Sequence, residues 1–247
     1  DPGTSAAVLA GLPAAGADVI ELGMPFSDPA ADGPAIQLAS QRALKAGASM
    51  RGTLEMVQRF RADDDATPIV LMGYYNPILQ YGPEAFARDA ADAGADGVIV
   101  VDLPPEEAPE LVPALTRAGV GFVPLVTPTT TGEERLASVV ANATGFVYYV
   151  SVAGTTGGAS AAADSIQAAV GRIRGASDRP VAVGFGIRTP DQAGSVARLA
   201  DGAVVGSAIV QRIADGLDAE GRAGPGLVDD TLALVRDLAA GVRATGD

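Results

Sequence analysis

The 247-residue chain contains no cysteine and no histidine, and Lys45 is its only lysine. Without cysteine there is no disulfide framework, no thiolate nucleophile and no cysteine–zinc site. Without histidine the commonest general base and metal ligand is gone. Lys45 sits in Gln41-Arg42-Ala43-Leu44-Lys45-Ala46-Gly47, which reads as an exposed helix ending at Gly47. A Schiff-base lysine belongs at a strand end inside a pocket, and no lysine stands there. Long apolar runs are missing too: none reaches the ~20 residues needed to cross a bilayer. No leader-like segment opens the sequence, so the expected location is the cytoplasm. Positive charge is scarce, and the net charge of −13 disfavours nucleic acid and anionic membrane surfaces as partners. An anionic substrate would therefore be held locally, by backbone amides or helix ends. Chemistry is left to carboxylates, tyrosines, hydroxyls and backbone dipoles.

What is present is a repeating pattern. An Ala-rich amphipathic segment ends in Ala-Gly or a similar turn, and a short Val/Ile-rich run follows. Such runs are Val19–Leu22, Pro68–Tyr74, Gly97–Leu103, Gly121–Thr127, Phe146–Ser151, Val181–Ile187 and Ala203–Ser207. They lack polar alternation, as expected for parallel strands covered on both faces. Helical segments lie between them, among them Gly82–Ala93, Pro105–Arg117, Thr131–Ala141, Ser160–Arg174 and Thr189–Leu199. A last helix runs from about Leu227 to Val242, after a Gly/Pro-rich loop. Strand, helix, strand at these intervals means α/β with right-handed crossovers. A TIM (β/α)8 barrel takes eight strands, and seven are visible here. Asp1-Pro2-Gly3-Thr4-Ser5 reads as a loop and helix start instead of a strand. The other arrangement the pattern allows is a doubly wound open sheet. With 48% hydrophobic residues and no low-complexity linker, residues 1–247 read as one domain.

The richest stretch is Val19-Ile20-Glu21-Leu22-Gly23-Met24-Pro25-Phe26-Ser27-Asp28-Pro29-Ala30-Ala31-Asp32-Gly33-Pro34. A carboxylate, Glu21, lies inside an apolar strand. Two more, Asp28 and Asp32, follow in the loop. A charge in a buried strand is costly unless it is paired or used. The three acids read either as an acid–base centre or as structural groups: Glu21 paired with an arginine, Asp28 capping a helix, Asp32 making a turn. Barrel chemistry sits at the C-terminal strand ends. Glu21, Asp102, Tyr148 and Asn76 all fall there. A separate signal points to phosphate. Gly184-Phe185-Gly186 ends the penultimate strand, and Gly206-Ser207 ends the last one before the short helical run Ile209–Ala214. Glycines there let backbone amides approach an anion, and a helix N-terminus adds its dipole. The Gly154-Thr155-Thr156-Gly157-Gly158 loop can close from a neighbouring strand.

The run E-L-G-x-P-F-S-D-P-x-A-D-G-P resembles the signature of the tryptophan synthase alpha chain family. Met72-Gly73-Tyr74-Tyr75-Asn76-Pro77, Asp102-Leu103-Pro104, Ser151 through Gly157, Gly184-Phe185-Gly186 and Gly206-Ser207-Ala208 extend the resemblance over almost the whole chain. It implies a TIM barrel whose first strand lies upstream of residue 1. It implies cleavage of indole-3-glycerol phosphate to indole and glyceraldehyde 3-phosphate. It places catalytic groups at Glu21, Asp32 and Tyr148, and phosphate contacts at Gly157, Gly186, Gly206 and Ser207. The indole pocket would include Ile36, Met72, Tyr74, Ile99, Val126, Thr156 and Phe185, under a lid at about Ala153–Ala163. Val152 stands where many members carry an arginine. No cofactor is implied in this chain; pyridoxal phosphate belongs to the beta-chain partner of an αββα complex. Alternatives are a stand-alone lyase with the same chemistry, another phosphosugar barrel enzyme, or a weakly catalytic allosteric activator of the beta chain.

Overall fold

A computed structural model describes residues 1–130, 132–151, 159–184 and 186–244. Its strands are β1 (Ile20–Gly23), β2 (Ile69–Gly73), β3 (Gly97–Val100), β4 (Gly121–Phe122), β5 (Leu125–Val126), β6 (Val147–Val150), β7 (Val181–Gly184) and β8 (Gly202–Val204). Its helices are α1 (Pro2–Ala15), α2 (Pro34–Lys45), α3 (Met50–Arg61), α4 (Tyr75–Tyr81), α5 (Pro83–Ala93), α6 (Val112–Ala118), α7 (Glu133–Val140), α8 (Ala159–Ala176), α9 (Pro190–Ala197), α10 (Ser207–Asp215) and α11 (Leu227–Arg243). Every pairing between these strands is parallel, in the orders β1-β2-β3-β4 and β5-β6-β7-β8. This is the TIM-barrel architecture, not the doubly wound sheet.

Two expectations need correction. The single strand expected over Gly121–Thr127 is two short pieces. The Val123 amide still donates to Val98 (3.0 Å), but Pro124 has no N–H, and its carbonyl accepts from Tyr148 instead (3.0 Å). The curved sheet passes through this point while changing the neighbour it pairs with. The helix expected over Pro105–Arg117 is a turn, a 3-10 segment at Ala108–Glu110 and then α6. Pro109 and Pro113 are tolerated only in first turns, so one continuous helix cannot form.

Strand alternation sorts side chains into two environments. Ile20, Ile69, Leu71, Val98 and Val100 face outward against Leu54, Val57 and Phe86 of α3 and α5. Val147, Tyr149, Val181 and Val183 face outward against α7, α8 and α9. Val70, Ile99, Val123 and Tyr148 face the lumen, joined by Met72, Leu125, Val150 and Val204. Both faces are apolar, which is why the strands read as unbroken hydrophobic runs. Among the described residues β1 and β8 are edge strands that do not pair with each other. The helical layer closes around that seam. α11 packs on α9, α1 and α10, and a Cβ on Gly241 would come within 2.3 Å of the Pro190 carbonyl oxygen.

At the N-terminal rim two aspartates repeat one device. Asp96, just before β3, accepts the Ile69 amide of β2 (2.7 Å) and the Arg61 guanidinium (2.6 Å). Asp201, just before β8, accepts the Val181 amide of β7 (2.8 Å) and Arg174 (2.9 Å). Each carboxylate thus ties a strand start to its neighbour and to the helix preceding that neighbour. Bonds to a charged acceptor contribute more than neutral ones. Asp96→Ala is therefore expected to cost about 2 kcal/mol in urea unfolding. Glu84→Ala, which removes an exposed pair with Arg117 and a first-turn acid of α5, is expected to cost under ~1 kcal/mol.

Candidate active site

Glu21 occupies the inward position of β1. Its neighbours Ile20 and Leu22 pack outward, and across the ladder Glu21 stands opposite Val70 of the lumen. No ion pair engages Glu21 among the described residues, so the arginine-paired reading does not hold there. Water reaches the residue through the open lumen, yet the concave protein wall crowds its carboxyl on most sides. That crowding, and then the nearby charge of Asp32, push its pKa up to about 7. A carboxyl poised near neutrality can both give and take a proton. Burial and then the Glu21 charge also push the Tyr148 phenol above the ordinary tyrosine range. Glu21, Asp32 and Tyr148 therefore form one electrostatic group.

Asp32 is brought in by its loop. The Met24 amide extends the β1 ladder onto Met72 (2.7 Å), and the chain then leaves the strand. The Tyr74 hydroxyl, at the end of β2, donates to Asp32 Oδ2 (3.0 Å) and accepts from the Ala31 amide (3.0 Å). Gln37 Nε2 of α2 donates to the Asp32 carbonyl (2.9 Å). Partial burial raises the Asp32 pKa, and the Tyr74 bond acts the other way. Tyr74 itself is pushed up to about 12, by burial first and then by the Asp32 charge. Asp28 caps no helix; the Ser27 hydroxyl donates to its Oδ2 (2.5 Å).

Tyr148 projects from β6 into the lumen and is 8% exposed. Its ring lies over Gly184, where an added Cβ would meet the Tyr148 Oη at 2.5 Å. The role of that glycine is to make room for the phenol. Met72 and Ile99 line the lumen. Val126 does not: it faces outward against Leu136, Tyr149 and Ile173. Leu125, in register with Tyr148, takes the inward place. Resemblance identified the strand, and only the register decided which of two adjacent apolar residues turns inward. Ile36 lies half-buried in the first turn of α2, outside the three apolar clusters. Asp102 accepts the Tyr75 amide (2.7 Å) at the start of α4, and Asn76 is exposed in that first turn. These two do not join the lumen group. Thr156, Gly157, Phe185, Val152 and most of the expected lid, Ala153–Gly158, lie outside the described residues.

The anion-binding candidates sit together. β7 and β8 pair with Gly184 opposite Val204. Gly186 and Gly206 each stand two residues beyond that rung. Gly186 has φ of 61°, the left-handed region that glycine adopts without strain. Gly206 precedes α10, and Ser207 opens it. The first-turn amides of α10 have no intrahelical acceptors, so they are available to an anion. Among the described residues no three side chains of metal-ligating type converge. None of the described helices is long and apolar enough to cross a membrane.

Comparison with known proteins identifies the family. The profile of the family described as "Tryptophan synthase alpha chain" matches residues 1–237. The tryptophan synthase alpha chain of Acidiphilium cryptum (strain JF-5) is 56% identical over 243 residues, covering 98% of this chain and 88% of that protein. The crystal structure of tryptophan synthase subunit alpha from Legionella pneumophila str. Paris superposes with a TM-score of 0.88 at 39% identity, over 98% of this chain and 88% of that one. A Mycobacterium tuberculosis tryptophan synthase structure gives a TM-score of 0.85 at 41% identity, over 98% and 87% of the two chains. The chain belongs to the tryptophan synthase alpha chain family, the lyases that cleave indole-3-glycerol phosphate in tryptophan biosynthesis.

Proposed function

We propose that Glu21 is the proton shuttle of this cleavage and Asp32 the acceptor for the indole N–H. The observation that carries the reading is Glu21 itself: an inward carboxyl without an ion pair among the described residues, held near neutrality beside a second carboxyl. Breaking the bond from indole C3 to the glycerol side chain requires a proton at C3 and removal of the proton from the side-chain hydroxyl. The C–C electron pair then returns to the indole ring, and the hydroxyl carbon becomes the aldehyde of glyceraldehyde 3-phosphate. During this step the indole N–H gains acidity, and an ionised Asp32 stabilises it. Tyr148, Met72, Tyr74 and Ile99 support the reading as the wall against which the ring lies. Gly186, Gly206 and Ser207 would hold the phosphate with backbone amides and a hydroxyl, joined by Gly157. Such contacts suit a chain of strongly negative net charge.

The same reading includes a beta-chain partner in an αββα assembly, with pyridoxal phosphate held by the beta chain alone and none in this chain. Its supports are family membership and the matched tryptophan synthase structure. We also read residues 1–247 as one domain acting in the cytoplasm, where its phosphorylated substrate is retained.

Glu21→Gln and Asp32→Asn are each expected to lower turnover at least ~100-fold while circular dichroism stays native; near-normal turnover removes the assigned role. The raised Glu21 pKa also carries a stability consequence. The fold binds this proton more tightly than the unfolded chain, so stability falls as pH rises from the ordinary 4.5 through about 7. Relative to wild type, Glu21→Gln should therefore melt higher at pH 8 than it does at pH 5. Because water enters the lumen, the gain is expected to be about 1 kcal/mol at most. Titration calorimetry with a purified beta chain should give saturable heat at one beta chain per alpha chain; absence of heat argues against the assembly.

A further inference from the structure

The Tyr74 hydroxyl has a single proton to give, and that proton is committed. It goes to Asp32 Oδ2, while the Ala31 amide donates to the same hydroxyl oxygen. Tyr74 is 5% exposed, opens α4 as its cap residue and stacks at a tilt on Phe26, ring centroids 5.4 Å apart. The loop from Phe26 to Asp32 is thus gripped at both ends by one phenol ring. Gln37 closes the loop from the α2 side, through the carbonyls of Pro29 (3.4 Å) and Asp32 (2.9 Å). No partner engages Asp32 Oδ1 among the described residues.

We propose that Tyr74 is a positioning residue: by holding Asp32 Oδ2 and the Ala31 amide, it turns the carboxylate so that Oδ1 is the acceptor offered to the ligand N–H. The proposal rests on the reading of Asp32 as the substrate-facing carboxylate, and it assigns Tyr74 more than a place in the pocket wall. A phenol can also stack on an aromatic ligand, but a stacking ring needs no hydroxyl bonded to a loop 42 residues away. The bond has an electrostatic effect as well. A hydrogen bond donated to the charged form favours ionisation, so it opposes the upward push of burial on Asp32. The titratable groups facing Asp32 are Tyr74 from the β2 end and Glu21 from β1, with Tyr148 beyond Glu21. Among the described residues no cation pairs with Asp32, which leaves the phenol as its only stabilising side chain.

The test is Tyr74→Phe, which keeps the ring and removes one oxygen, measured alone and combined with Asp32→Ala. Loss of a hydrogen bond to a charged acceptor is expected to lower kcat roughly tenfold, with KM nearly unchanged. The acidic limb of kcat/KM should move to higher pH, because Asp32 then protonates more easily. The Asp32 charge also raises the Glu21 pKa, so the limb is read as a property of both groups. In the Asp32→Ala background Tyr74→Phe should cost nothing further. A loss of equal size in both backgrounds, or an even loss at every pH, overturns the proposal and leaves Tyr74 as a packing residue. Unchanged Tyr74→Phe beside a strongly impaired Asp32→Ala overturns the latch alone. Near-wild-type turnover in Asp32→Ala overturns the Asp32 reading and the latch with it. Site-specific 3-fluorotyrosine at position 74, a stronger donor of nearly the same size, should move the limb to lower pH. That variant gives the answer even if Tyr74→Phe folds poorly.

Discussion

The site depends on one unneutralised charge. Glu21 takes an inward place on a strand whose neighbours on either side are apolar, and among the described residues no arginine pairs with it. A folded chain removes such a cost by pairing the carboxyl, by exposing it or by letting it keep its proton. Here water reaches the residue through the lumen, but its crowded carboxyl still keeps a proton up to about pH 7. That outcome is unfavourable for stability near neutrality and useful for moving protons there. The two consequences have one origin, the crowding of a carboxyl by a concave apolar wall with Asp32 nearby.

The rest of the architecture holds that wall in place. The barrel divides the work between its rims. At the N-terminal rim Asp96 and Asp201 each accept a strand amide and an arginine, which suits groups whose task is to hold strands in register. At the C-terminal rim no cation pairs with Glu21 or Asp32 among the described residues, and Tyr148 and Tyr74 stand beside them. Tyr148 is seated over Gly184 because only a residue without a Cβ leaves room for its hydroxyl. Tyr74 is seated by the loop it in turn restrains. Loop and ring order each other, so the alignment of Asp32 is a property of the folded assembly and not of the loop alone.

The strands, most helices and the position of the acidic loop were legible in the sequence because hydrophobic period and Ala-Gly turns are local signals. Glu21 was legible because a charge inside an apolar run is anomalous wherever the strand ends up. Val126 was misplaced because a buried parallel strand carries no alternation of polarity; its two faces are equally apolar, and the ladder register with Tyr148 alone turns Leu125 inward. Asp102 stood at a strand end like Glu21, but it was drawn to the Tyr75 amide that opens α4. Nothing in its own neighbourhood in sequence announces that amide. The prolines that break Pro105–Arg117 were visible in the sequence, and their spacing explains the shorter α6.

By itself the sequence determined the class of fold, the absence of histidine, cysteine and strand-end lysine chemistry, and the family to which the chain belongs. Those follow from composition, from period and from an uninterrupted motif, all of which are properties of neighbours along the chain. Only the tertiary structure decided that Glu21 has no ion pair among the described residues, that Tyr74 bonds Asp32 across 42 residues, and which face of each apolar strand looks into the lumen. Those are distances between groups far apart in sequence. Burial, charge and hydrogen bonding act through space, and the chain specifies them only once it has closed around them.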